Sequence, residues 1–207
     1  MDGDEVLVDP GRYTDINSSL RWELKNAISH NVSLGDREEY SKATGTWAFE
    51  TLPISTPIQV ISKELYTLIE GSHTRYCRKG ITVNRRILVL DHEAIVVCDT
   101  FTGPKPKSIT QRFHFGERIF LDAKDAVFHG YGEKRHFQLY SFADGHSISP
   151  LLEQGPFSGH YNQCSTIPVS DLTASGALAL TSNLIRSGEE NAGVVSVPVR
   201  NLVSGKT

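Results

Sequence analysis

The chain has 207 residues, with 21 Lys+Arg against 24 Asp+Glu and a formal net charge of −3. A hydrophobic share of 39% and a charged share of 22% suit one folded domain and exclude a disordered chain. The balanced charge leaves no global basic footprint for nucleic acid, and no stretch approaches the ~20 apolar residues of a membrane span.

Met1 is the only methionine, and the N-terminal MDGDEVLV is acidic, unlike a signal peptide. Asp2-Gly3 is a hairpin signal with no strand in front of it. Residues 5–9 (EVLVD), closed by Pro10-Gly11, therefore read as an exposed or poorly paired strand that has lost its partner; a disordered initiator segment accounts for Asp2-Gly3 equally well. Residues 18–28 are the one helical stretch, with Asn17 as its cap and Leu20, Leu24, Ala27 and Ile28 as its stripe. Strands are then expected over 58–62 and 65–70. A long hairpin follows, 81–90 (ITVNRRILVL) against 94–101 (AIVVCDTF), joined by Asp91-His92-Glu93. Its first arm places Ile81, Val83, Arg85, Ile87 and Val89 on one face by alternation. Further strands are expected over 109–115, 136–142, 147–153 and 193–199, punctuated by Gly103-Pro104, Asp144-Gly145 and Gly155-Pro156. Many short strands and one short helix or irregular turn imply an all-β, two-layer antiparallel sandwich over residues 1–200, with 201–207 fraying.

The chemistry is sparse. There is no glycine-rich phosphate loop, nucleophile elbow, paired CxxC or helical HExxH. Cys77, Cys98 and Cys164 lack metal-like spacing and cannot all pair internally. Eight histidines are scattered along the chain, and a lone histidine is more often a surface or core residue than a ligand. Asp9 by itself reads as a turn residue, and spacing alone does not join it to His30. Trp22 and Trp47 suit either sugar stacking or core filling.

Two motifs change the weight of Asp9 and His30. The run Leu7-Val8-Asp9-Pro10-Gly11-Arg12-Tyr13-Thr14, followed by Arg21 and Ser29-His30-Asn31, resembles the C-terminal domain of heparinase II/III-like polysaccharide lyases. That family's pattern is a strand, Asp-Pro-Gly-x-Tyr, an Arg-containing segment and Ala-His-Asn-Thr. Ser29 and Val32 replace its Ala and Thr, and neither change removes a ligand atom. Similarity continues more weakly through Glu70-Gly71-Ser72-His73-Thr74, Asn84-Arg85-Arg86-Ile87-Leu88 and Phe113-His114-Phe115. It runs from residue 5 to about residue 120, and more loosely to Ser182.

The resemblance implies an α/α toroid followed by a β-sandwich, with an acidic polysaccharide cleaved between them in the periplasm or outside the cell. It implies a structural zinc held by Asp9 and His30, with a third ligand, a histidine on a preceding strand, falling before Met1. The implied reaction is β-elimination at a uronic acid, in which the carboxylate is neutralised, a base removes the C5 proton and an acid protonates the leaving oxygen. Most of those groups belong to the toroid, which this chain lacks, so the sandwich is expected to be inactive unless a toroid acts in trans. Tyr13 either serves the cleft as a catalytic group or packs the turn, and Asn31 beside His30 shapes the cleft floor. His73 and His114 are expected to be structural. The alternative of a different class is a carbohydrate-binding or structural β-sandwich without chemistry.

Overall fold

The computed structural model describes residues 3–74, 80–90 and 93–187. A five-residue helix, α1 (Ser19–Glu23), leads through a 3-10 turn at Ala27–Ser29 into β1 (Ser33–Gly35). The strands that follow are β2 (Gln59–Ser62), β3 (Tyr66–His73), β4 (Thr82–Leu90), β5 (Ala94–Thr102), β6 (Ser108–His114) and β7 (Phe120–Lys124). The chain ends with β8 (Val127–Tyr131), β9 (His136–Ala143), β10 (His146–Ser147), β11 (Leu151–Phe157), β12 (Ser165–Ser175) and β13 (Ala179–Ser187).

These form two antiparallel sheets packed together, as the strand pattern implies. The smaller runs β1-β6-β12-β11; the larger runs β2-β3-β4-β5-β13-β9-β8-β7, with β10 added to β9. Alternation decides which side of each strand is dry. In β9, Phe137, Leu139, Ser141 and Ala143 point inward while their neighbours are exposed or half-buried. Phe115, Phe128, Leu139 and Leu184 meet between the sheets, and Phe115 stacks on Phe137 with ring centroids 5.8 Å apart. Each such fully buried side chain contributes roughly 1.5–3 kcal/mol relative to exposure. Gly130 is required opposite Phe137, because a Cβ there would lie 2.0 Å from the ring.

The hairpin stands as expected, with β4 and β5 paired from Leu90↔Ala94 to Thr82↔Thr102. Residues 5–9 form no ladder: Leu7 makes one antiparallel bridge to Phe115, and the Val8 N–H donates to the His114 carbonyl at 3.0 Å. The single strand expected over 147–153 is instead two, because the chain crosses at residues 148–150 from the large sheet (β10) to the small one (β11). The helix is shorter than 18–28, and its cap is Ser18, whose Oγ accepts from the Arg21 N–H at 3.2 Å. Asn17 instead accepts from the Trp22 indole N–H. Strands β1, β7, β8, β12 and β13 were not foreseen. The β7–β8 turn uses Asp125-Ala126, both at positive φ, where the familiar signal is Asn-Gly or Asp-Gly. Asp2, Cys77, Asp91-His92, the expected strand 193–199 and the tail 201–207 lie outside the described residues.

Candidate functional site

The Asp9-Pro10-Gly11 turn is fixed from both ends. The Gly11 N–H donates to Asp9 Oδ1 at 2.9 Å, and the Ser158 N–H donates to the Pro10 carbonyl at 2.8 Å. Gly11 has φ 78°, and a Cβ there would sit 2.3 Å from the Ser158 carbonyl oxygen, so only glycine lets the two segments approach. The turn after α1 brings back His30, whose Nδ1 lies 2.8 Å from Asp9 Oδ2. Residues 21 positions apart therefore meet, with side-chain exposures of 68% for Asp9 and 31% for His30 that leave both accessible.

Asn31 is the strut beneath them. Its Nδ2 donates to the Val8 carbonyl at 3.0 Å, and its Oδ1 accepts from the His114 N–H at 2.7 Å. His114 Nδ1 stands 3.3 Å from the same Oδ1. Burial, with Arg112 and His30 nearby, lowers the His114 pKa to about 4, so this imidazole is neutral near pH 7. The Asn31 carbonyl accepts from Arg85, whose Nε and Nη2 reach Asp99 at 2.6 and 2.7 Å. Asp99 is fully buried and also accepts from Gln111 Nε2 at 2.6 Å and from the Ser33 hydroxyl. Burial alone would push the Asp99 carboxyl up; Arg85 and these hydrogen bonds outweigh it and hold the pKa low. A polar chain thus runs from the buried middle of β5 to the exposed Asp9–His30 pair.

Tyr13 sits in a three-residue turn, with the Thr14 N–H donating to the Arg12 carbonyl at 2.9 Å around a φ of 68°. That is the rarer, strained hand of γ-turn, and a non-glycine residue there costs on the order of 1–3 kcal/mol. Tyr13 is half-buried, and its carbonyl accepts from the Asn162 N–H at 2.8 Å. His73 is a wall residue, half-buried edge-on to Tyr40 with ring centroids 4.7 Å apart. Burial, then Arg85, lowers its pKa. The Cys98 thiol is buried, which pushes its pKa up, while Cys164 is exposed.

An imidazole nitrogen and a carboxylate oxygen are suitable zinc donors, and the pinned, accessible turn suits a ligand site. The 2.8 Å contact between His30 Nδ1 and Asp9 Oδ2 is a hydrogen-bond length. Among the described residues no cluster of three or more His, Cys, Asp or Glu is placed to hold a metal. The Arg85–Asp99 pair escaped sequence reasoning, although a carboxylate inside the apolar run AIVVCDTF was a visible signal for it.

The family model described as "Heparinase II/III-like, C-terminal" matches residues 1–190. No curated protein matches the chain. Among solved structures, heparan sulfate lyase HepC from Pedobacter heparinus is similar at a TM-score of 0.71 and 13% identity, over 90% of this chain and 29% of that one. A structure of heparinase III is similar at 0.70 and 12% identity, over 89% of this chain and 28% of that one. A further heparinase III gene product, with methylated lysines, gives 0.67 and 16%, over 88% and 28%. The chain thus spans less than a third of the length of these lyases, and at such identities the likeness is one of fold. With the family model spanning nearly the whole chain, this protein belongs to the heparinase II/III-like family, whose C-terminal domain it carries.

Proposed function

We propose that the chain is the β-sandwich portion of a polysaccharide lyase that cleaves uronic-acid-containing glycans by β-elimination. The observation that carries this reading is the meeting of Asp9 and His30 at 2.8 Å on a turn fixed by Gly11, Ser158 and Asn31. In this reading Asp9 and His30 would hold a zinc ion with donors from outside the described residues. Zinc so placed supplies positive charge and a cross-link that keeps the turn in shape. Asn31 holds the segment of Asp9 against β6, and Tyr13 follows four residues later on a constrained backbone. Carboxylate neutralisation and the principal acid–base groups come from a helical toroid, on the same polypeptide or in trans.

The pair is tested by thermal unfolding with and without zinc. A ligand that binds only the native state raises its melting temperature, and at 100 times the dissociation constant the gain is roughly 2.7 kcal/mol. Asp9 and His30 alone are expected to bind zinc weakly; in a polypeptide that carries the remaining donors, zinc is expected to raise the melting temperature of the wild type and to leave His30→Ala unmoved. A wild type indifferent to zinc, or a mutant that still responds, would remove the metal from the account.

A further inference from the structure

A second surface lies three residues along the chain from Asp9. Residues 42–50 double back in a small hairpin, closed by the Ala43↔Phe49 bridge and by the Thr44 N–H donating to the Ala48 carbonyl at 3.1 Å. Two cations from α1 and the residues just after it hold this hairpin from beneath. Arg21 Nη2 donates to the Thr46 carbonyl at 2.6 Å; Lys25 Nζ donates to the Ala48 carbonyl at 2.8 Å and to that of Gly45. Arg21 is 6% exposed and Lys25 9%, and among the described residues no carboxylate pairs with either. Arg21 Nε is buried without a hydrogen-bond partner. Two buried cations whose hydrogen bonds go to carbonyls, with Lys25 Nζ also 4.1 Å from the Phe49 ring centroid, leave net positive charge under the hairpin, and burial with the Arg21 charge lowers the Lys25 pKa.

What this scaffold presents is Trp47, 63% exposed, with the Arg12 guanidinium 4.4 Å from its ring centroid and the Arg21 guanidinium at 5.9 Å. A rigidly held tryptophan left in water lacks a packing reason. An indole face beside guanidinium groups matches a sugar that offers an apolar ring face and a carboxylate or sulfate. Arg12 does have a carboxylate neighbour, Asp15 at 3.0 Å, but that pair is half exposed and of the weak surface kind.

We propose that Arg12 and Trp47 form a subsite for an anionic sugar residue, with Trp47 as the stacking platform and Arg12 as the charge partner, while the buried Arg21 adds positive charge from beneath. This rests on the reading of the chain as part of a uronate-glycan lyase and names where one sugar of that substrate docks.

The test is calorimetric titration of the full chain with hexasaccharides of hyaluronan, heparan and alginate, and with maltohexaose as the neutral control. Fluorescence of Trp47 alone, read in Trp22→Phe, localises the event. At least one acidic hexasaccharide is expected to bind and perturb Trp47, with affinity falling as salt rises, and maltohexaose is not. Arg12→Ala should weaken binding about tenfold or more, as expected for loss of one charged hydrogen bond. Trp47→Ala should abolish it and Trp47→Phe retain part; an unchanged melting temperature checks that each variant folds. Acidic binding that survives Trp47→Ala overturns the subsite and leaves the lyase reading intact. Equal binding of maltohexaose, or no binding of any acidic hexasaccharide, also overturns it, while the lyase reading is judged separately by activity with a toroid.

Discussion

At the scale of single residues, the site depends on charges that it keeps dry. Removing one partner of a buried, hydrogen-bonded ion pair costs about 3–5 kcal/mol, because the other charge is left uncompensated. Arg85→Ala and Asp99→Asn should each lower stability by that order in denaturant unfolding, and the double replacement Arg85→Met with Asp99→Leu by less than the sum. His114 gives a pH signature. Its folded pKa is lowered to about 4 from 6.5, so between those values the unfolded chain binds more protons. Its stabilising contribution is complete above pH ~6.5 and is lost as pH falls toward ~4, on the order of 3 kcal/mol in all. Unfolding curves across that window should show the slope in wild type and a flatter one in His114→Gln. At this scale the sequence was half legible. Asp9, His30 and Asn31 were marked by motif, whereas Asp99 acts through Arg85, Gln111 and Ser33, 14, 12 and 66 positions away, and no local pattern announces those pairings.

At the scale of elements, two turns carry the geometry. Gly11→Ala places a Cβ against the Ser158 carbonyl at positive φ and should destabilise the chain by well over the ~1 kcal/mol of an ordinary Gly→Ala conflict. Tyr13 offers the converse test. Its φ of 68° is easy for glycine and costly for an L side chain, so Tyr13→Gly should be more stable than Tyr13→Ala by about 1 kcal/mol in chemical unfolding. The β4–β5 hairpin was legible because both arms are long runs rich in Val, Ile and Leu joined by a three-residue connection. Strands β6 and β13 carry Gln111 and Ser182 inward, where the Ser182 hydroxyl donates to Gln111 Oε1 at 2.6 Å. Such satisfied polar groups break the hydrophobic alternation that marks a strand, and β13 went unseen for that reason. In β12, Pro168 has no N–H to give a central ladder, and it lies just past the last β6 partner, at Val169↔His114.

At the scale of the whole molecule, strand content announced a two-layer sandwich, but the division into a small and a large sheet depends on pairings across the chain that composition does not encode. The long sheet ends in β2, all four of whose residues are exposed, with Val60 at 60% and Ile61 at 43%. An edge of this kind invites pairing with another strand, and Val60→Lys should reduce self-association in sedimentation without lowering the melting temperature. In the proposed function this sandwich contributes one part of a divided lyase site through Asp9 and His30. The most direct measurement is the rise in ultraviolet absorbance from unsaturated uronate ends on heparan, hyaluronan and alginate, with the chain alone and with a helical toroid supplied in trans. The expected result is no turnover by the chain alone, since loss of one positioned acid or base already costs ~10²–10⁴-fold, and turnover with the toroid that His30→Ala removes. Robust turnover by the chain alone, or turnover with the toroid that survives His30→Ala, would contradict it.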